Sequence, residues 1–190
     1  FKRNTLYIIN APSQGGEFLE AQYPGYGITY PSASALTPNG VVFANSQGLF
    51  LYDSEKVSNL LVSGQVTKLS KEEWYDFTIE EGEFGAVFDR ALKVGYEPDS
   101  ECVHVYNGDG MGSGYKVSLI NQAISSAENT ETVISSSNLF TFKNKMYHLN
   151  NTDMSGNSVV VQSWDKNPSD NQIELITRDF DLGEPSIRKK

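Results

Sequence analysis

Asn39-Gly-Val-Val-Phe-Ala-Asn-Ser-Gln-Gly-Leu-Phe-Leu-Tyr-Asp53 carries two apolar runs, Val41 to Ala44 and Leu49 to Tyr52, on either side of Asn45-Ser-Gln-Gly48. The central residues are types that tolerate positive φ and reverse a chain, so the stretch reads as a β-hairpin. Each run is too short for a helix. Its residues are apolar at successive positions rather than in strict alternation, the pattern of strands covered on both faces. The hairpin is therefore expected in the core.

A weaker copy of this pattern recurs along the chain. Leu92 to Tyr96, a turn at Glu97-Pro-Asp-Ser-Glu101 and Cys102 to Asn107 form one further case; Leu139 to Phe142, a turn at Lys143 to Lys145 and Met146 to Asn150 form another. Thr5 to Asn10 reads as the later half of a unit whose first half precedes residue 1. The second strands then begin near residues 6, 49, 102 and 146, a spacing of about 40 to 50 residues, as in propeller blades. A β-sandwich repeats its hairpins at shorter intervals and without units of blade length. The expected fold is all-β, a β-propeller or part of one with about four blade-like units, over residues 1–172.

A chain of 190 residues is one large domain or a piece of a larger protein, long enough to bury roughly 70% of its unfolded surface. The 16 Gly, 10 Tyr and 10 Phe suit an all-β protein, and no apolar run is long enough to cross a bilayer as a helix. No membrane partner is expected. A net charge of -9 argues against broad or sequence-specific binding of nucleic acid, because affinity for phosphates comes from Lys and Arg displacing counterions. An acidic protein can still line a conduit through which DNA must pass without sticking. The single cysteine, Cys102, excludes an internal disulfide and a multi-thiolate metal site, and reads as a small buried apolar residue. Phe1 at the start, with no leader before it, and Arg188-Lys-Lys190 directly after a strand-like segment look like the ends of a piece cut from a longer polypeptide.

Taken in order, a Pro/Gly loop at Ala11 to Gly16 precedes a strand around Glu17 to Gln22, and Ile28 to Tyr30 reads as a short strand ahead of Pro31. The small residues Ser32 to Ala35 lead into the opening hairpin. Beyond it, Ser54-Glu-Lys56 is a turn and Val57 to Val62 a strand. Ser70-Lys-Glu-Glu73 is a capping box, which predicts a short helix over 71–77 with Trp74 and Phe77 on one face. Trp74 reads as the packing anchor of that helix. Glu80 to Glu83 is a turn and Gly85 to Phe88 a strand. Asn107 to Gly114 is a glycine-dense loop without the acidic series of a calcium loop, and Tyr115 to Ile120 follows as a strand. Ser125 to Ser137 joins the second and third hairpins, and Asn150 to Asn157 is a turn whose Asn-Asn-Thr triplet is assigned no role. Val159 to Trp164 is a strand, Asp165 to Asn171 a turn, and Ile173 to Leu182 a last extended segment.

No catalytic, cofactor-binding or metal-binding set emerges. His104 and His148 occupy nearly equivalent places in two hairpins, which repetition of a strand explains better than a metal pair. Gly110-Met-Gly-Ser-Gly114 lacks the order of a nucleophile elbow. Asp53, Asp89, Asp165 and Asp179 stand at strand ends, where Asp caps turns. Sialidase-type boxes are absent, and Tyr52-Asp53 and Trp164-Asp165 echo WD repeats without their Gly-His partner.

Asn39 to Asp53, Leu69-Ser-Lys-Glu-Glu-Trp74, Lys93-Val-Gly-Tyr-Glu-Pro98 and Ile176 to Lys190 together resemble the propeller-type structural proteins encoded in the tail modules of bacteriophages and prophages. That resemblance implies a virion component of the tail hub or nozzle, made in the bacterial host cytoplasm and assembling with copies of itself and with other phage tail proteins. It also implies that residues 173–190 are an exit strand leading to a following domain, since Phe180-Asp-Leu-Gly-Glu-Pro-Ser186 is similar to such a lead-out. About four units are visible, fewer than such propellers carry. This is then a partial propeller, or further blades lie in missing sequence. The expected role is a non-enzymatic scaffold for ring assembly around the DNA conduit. The alternative is a carbohydrate-binding propeller, an adhesin or degraded hydrolase, with Tyr23, Tyr26, Tyr30 and Tyr115 as sugar platforms; those tyrosines serve equally to cover sheet edges.

Overall fold

The computed structural model describes residues 1–63, 66–67, 69–81, 86–107, 113–128, 139–151, 159–163 and 172–173. Within them, short antiparallel strands make three four-stranded sheets and three two-stranded ones, with one α-helix and one 3-10 turn. The all-β expectation holds. Among the described residues no sheet closes on itself.

At the start, β1 (Thr5–Asn10) pairs with β2 (Phe18–Pro24), the strand that follows it, and the register slips between Ile8 and Ile9 so that Glu20 is left as a bulge. Ile28 to Tyr30 is not a strand: Ile28 is buried, and the chain turns at Pro31–Ala33 in a 3-10 turn whose first position suits proline. The first four-stranded sheet follows in simple order, β3 (Ser34–Thr37), β4 (Gly40–Asn45), β5 (Gly48–Tyr52) and β6 (Val57–Asn59). β4 and β5 are the expected opening hairpin. Val42, Phe43, Ala44, Leu49 and Phe50 are all buried, so successive residues are covered on opposite faces, as the apolar runs predict. One face meets the N-terminal segment through Phe43 with Phe1, Phe50 with Tyr26 and Tyr52 with Tyr23. The other joins the rest of the core.

Gly40 closes the β3–β4 turn at φ +130°, and a Cβ there would lie 2.0 Å from the Tyr52 carbonyl oxygen. No other residue fits both demands.

Val57 to Val62, expected as one strand, breaks after β6. The Leu60 amide donates to the Leu49 carbonyl and the Asn59 side chain accepts from the Leu61 amide, which turns both leucines into the core. β7 (Val62–Ser63) then pairs with β8 (Val66–Thr67). The expected helix is present as α1 (Lys71–Thr78), its capping box formed in both directions: the Glu73 amide donates to Ser70 Oγ at 3.1 Å and the Ser70 amide to Glu73 Oε2 at 3.0 Å. Trp74 is 2% exposed and donates Nε1–H to the Asn45 carbonyl at 2.8 Å, so the helix is anchored to the turn between β4 and β5. Glu80 and Glu81 belong to β9 (Ile79–Glu81) rather than to a turn, and β9 pairs with β10 (Val87–Asp89).

The second four-stranded sheet comprises β11 (Lys93–Glu97), β12 (Cys102–Tyr106), β13 (Ser113–Ser118) and β14 (Ile124–Glu128). Ser125 to Glu128 is thus a strand, not the start of a connector; its side chains carry no pattern because pairing to β13 alone makes it one. The third sheet comprises β15 (Phe140–Phe142), β16 (Lys145–Asn151), β17 (Val159–Ser163) and β18 (Gln172–Ile173). Lys143 and Asn144 both take left-handed φ in the two-residue turn between β15 and β16, the geometry that matches strand twist. The remainder of the Asn107–Gly114 loop, of the Ser125–Ser137 connector, of the Asn150–Asn157 turn and of the closing segment, with Trp164, Asp165 and Asp179, lies outside the described residues. So does the expected exit strand beyond Ile173.

One correction concerns the repeat itself. The hairpins β11–β12 and β15–β16 are the first two strands of their sheets, whereas β4–β5 is the middle pair of its own. The true counterpart of the later hairpins is β3–β4. With that register, the first strands lie side by side in chain order, β3 beside β11 and β11 beside β15.

Candidate functional site

β11 and β12 alternate strictly, and alternation sends neighbours to opposite faces. Val94, Tyr96, Val103 and Val105, with Val117 and Tyr115 of β13, share a core with α1 and the first sheet. Lys93, Gly95, Glu97, His104, Tyr106 and Lys116 fall on the other face. That face meets the third sheet: Gly95 lies against Leu139 and Met146, which form a second apolar cluster with Tyr106. Thr141 Oγ1 of β15 donates to the Tyr96 carbonyl at 2.6 Å. The two sheets therefore enclose a polar layer.

Glu97 is its centre. The carboxylate is buried, and its Oε2 accepts from Lys116 Nζ at 2.8 Å, from His104 Nε2 at 3.0 Å and from the Ser100 hydroxyl. With Nε2 at Glu97, the other ring nitrogen, Nδ1, lies 3.4 Å from the Tyr106 hydroxyl. Burial, and then the negative charge of Glu97, push the Tyr106 phenol far above its ordinary pKa, so this donor keeps its proton. Nearby, burial lowers the pKa of Lys93. His148 of β16 is likewise pulled down, by burial first and then by the positive charge of Lys93.

A carboxylate, an imidazole and a phenol in series can pass a proton. Here Glu97, His104 and Tyr106 are only 6%, 3% and 3% exposed. The series ties β11, β12 and β13 of the second sheet together as a buried polar network. His104 is held by Glu97, and His148 lies near Lys93. Among the described residues no group of three or more His, Cys, Asp or Glu could hold a metal ion.

The surface clefts are different in kind. One, about 980 Å³, runs along the first strands and is lined among others by Leu36, Tyr96, Pro98, Leu139 and Phe140. A second, about 430 Å³, includes Arg3, Thr29, Tyr30, Asp89 and Arg90. There Asp89 Oδ2 accepts from Thr29 Oγ1 at 2.8 Å and lies 3.5 Å from Arg3. Asp53, by contrast, caps its own turn: the Glu55 and Lys56 amides donate to Oδ1 and hold the carboxyl below its usual range. Tyr23 and Tyr26 pack on the first sheet and Tyr115 on Trp74 and Phe77. Only Tyr30 of those four tyrosines counts as exposed, at 39%.

Sequence reading placed Glu97 in a turn and missed the polar layer. The signal was present in two facing alternations, Val94-Gly-Tyr-Glu97 and Val103-His-Val-Tyr106, which put every polar member on one side. Compared with protein-family models, with curated proteins and with solved structures, the chain matches none.

Proposed function

We propose that this chain is a non-enzymatic structural component of a bacteriophage tail hub or nozzle, three blades and part of another from a β-propeller that serves as scaffold. The observation that carries the reading is the side-by-side course of β3, β11 and β15, each the first strand of a four-stranded antiparallel sheet. That is how blades stand around a propeller axis. The tail assignment rests on the sequence resemblance. The chemistry is in keeping with a scaffold: Glu97, His104, Tyr106 and Lys116 are spent on internal bonds. Copies of the chain and other tail proteins are the partners, and the acidic surface lets DNA pass a conduit without binding. No described helix is long and apolar enough to cross a membrane.

The test is electron microscopy of the protein, with immunogold labelling of virus particles induced from its host. Label at the tail, and symmetric classes with an open channel, are the expected result. Label confined to the cell with no particle bound overturns the reading. A second reading, a carbohydrate-binding module, is favoured by one feature, the exposed Tyr30 ring beside Thr29, Asp89 and Arg3, since a flat ring flanked by polar groups suits a sugar. A glycan array that gives a specific signal abolished by Tyr30→Ala would favour it.

A further inference from the structure

The two ends of the sheet stack carry exposed apolar groups with opposite charge around them. At one end is the third sheet. Leu139 and Thr141 point at the second sheet, so alternation turns Phe140 and Phe142 to the far face. They are 37% and 56% exposed. Lys145 pairs with Phe142 across the turn and shares its side, and Lys143 Nζ sits 5.4 Å from the Phe142 ring centre. This is an aromatic patch with a basic rim on a protein of net charge -9. At the other end, the β1–β2 hairpin covers the first sheet with Leu6 and Tyr23 and leaves Ile9, Phe18 and Leu19 at 62%, 53% and 54% exposure. Glu17 directly precedes Phe18, and the bulged Glu20 directly follows Leu19; both are exposed. Ile9 and Leu19 pair across the hairpin and share a face, and Phe18 stands beside them on the other face of the tip, so this is an apolar tip flanked by two carboxylates. Among the described residues neither lysine and neither glutamate is in an ion pair.

We infer that the Phe140/Phe142 face of one copy docks on the Ile9/Phe18/Leu19 tip of a second copy, with Lys143 and Lys145 opposite Glu17 and Glu20. The inference rests on the scaffold reading in taking another copy as the partner. Apolar groups supply the affinity, and the charged rims supply orientation and reject the like-with-like pairing. Because the two patches are different surfaces, the contact is heterologous: it closes into a ring if the rotation allows and otherwise grows as a filament. Neither patch can satisfy itself about a two-fold axis, since each would oppose its own charge.

Sedimentation velocity of the 190-residue chain over a wide concentration range tests this. The native chain associates with rising concentration, and added salt weakens the association. Lys143→Glu/Lys145→Glu and Glu17→Lys/Glu20→Lys each raise the concentration for half-association by about tenfold or more. Mixed in equal amounts, the two variants associate again, because every rim then finds its opposite. That rescue also shows that both variants are folded. A native chain that stays monomeric throughout overturns the inference. So does association that neither reversal weakens, or a mixture that fails to recover. A monomeric chain leaves the tail reading standing, because other tail proteins can serve as partners, whereas particles without label overturn that reading whatever the chain does alone.

Discussion

Replacing Gly95 by alanine adds one methyl group at the tightest point between the second and third sheets. An ideal Cβ there lies 2.6 Å from Leu139 Cβ, 2.6 Å from Met146 Sδ and 2.8 Å from Leu139 Cδ1. Non-bonded carbons rest at about 3.5–4.0 Å, so the neighbours must retreat by roughly 1 Å. Met146 can swing its thioether aside. Leu139 Cβ is fixed to the backbone and cannot, so β15 must move away from β11, loosening the Thr141 bond to the Tyr96 carbonyl. Overpacking of this kind costs about 1–3 kcal/mol. Against it stands the ordinary gain of replacing glycine within a strand, about 0.5–1 kcal/mol. The net expectation is a loss of about 1–2 kcal/mol, which for a domain of this size lowers Tm by about 2–8 °C. Urea unfolding followed by circular dichroism measures it. The sign decides the matter: if the sheets did not meet at Gly95, alanine would stabilise the chain. A variant as stable as the native protein, or more so, refutes the packing. Leu139→Gly is itself destabilising, because it empties a buried site, but in a double-mutant cycle Gly95→Ala should cost less in that background than in the native chain, since only glycine removes the Leu139 Cβ.

Three further outcomes follow from the polar layer and the helix anchor. Glu97→Leu removes the acceptor shared by His104, Lys116 and Ser100 and should cost about 3 kcal/mol, whereas Lys116→Met should cost about 1 kcal/mol or less because that side chain is 34% exposed and screened by solvent; equal losses in urea melts would contradict the central place of Glu97. His148 is held neutral below its ordinary pKa of 6.5. The unfolded chain therefore takes up a proton first on acidification, so stability is full above that value and declines as pH falls toward the folded pKa. His148→Gln should flatten the decline that sets in as pH falls through 6.5, and an unchanged slope would assign it to other groups. Trp74→Phe keeps the ring but loses the bond to the Asn45 carbonyl and should cost about 1–2 kcal/mol; a neutral effect would mean that α1 is held by other contacts.

Local features were legible before any fold was in view. The Asn39–Asp53 hairpin, the capping box at Ser70–Glu73 and the anchoring role of Trp74 depend on neighbours within a few residues, and turn and cap chemistry is written at that range. Cys102 as a buried strand residue belongs with them. The break at Leu60-Leu61 was not legible, because what ends the strand is an amide bonded to Leu49 across the sheet. Nor was β14, which is a strand only by virtue of β13.

The residue order by itself thus determined an all-β chain with one short capped helix, since periodicity and turn types act along the backbone. Tertiary structure alone decided which hairpin corresponds to which, because the repeat is counted from the first strand of each sheet, and β3 has too weak a pattern to announce itself. It alone turned Glu97, His104, Tyr106 and Lys116 into one layer. The bonds among those four run as much as 19 residues along the chain, and their value depends on a third sheet that excludes water, which no local pattern records.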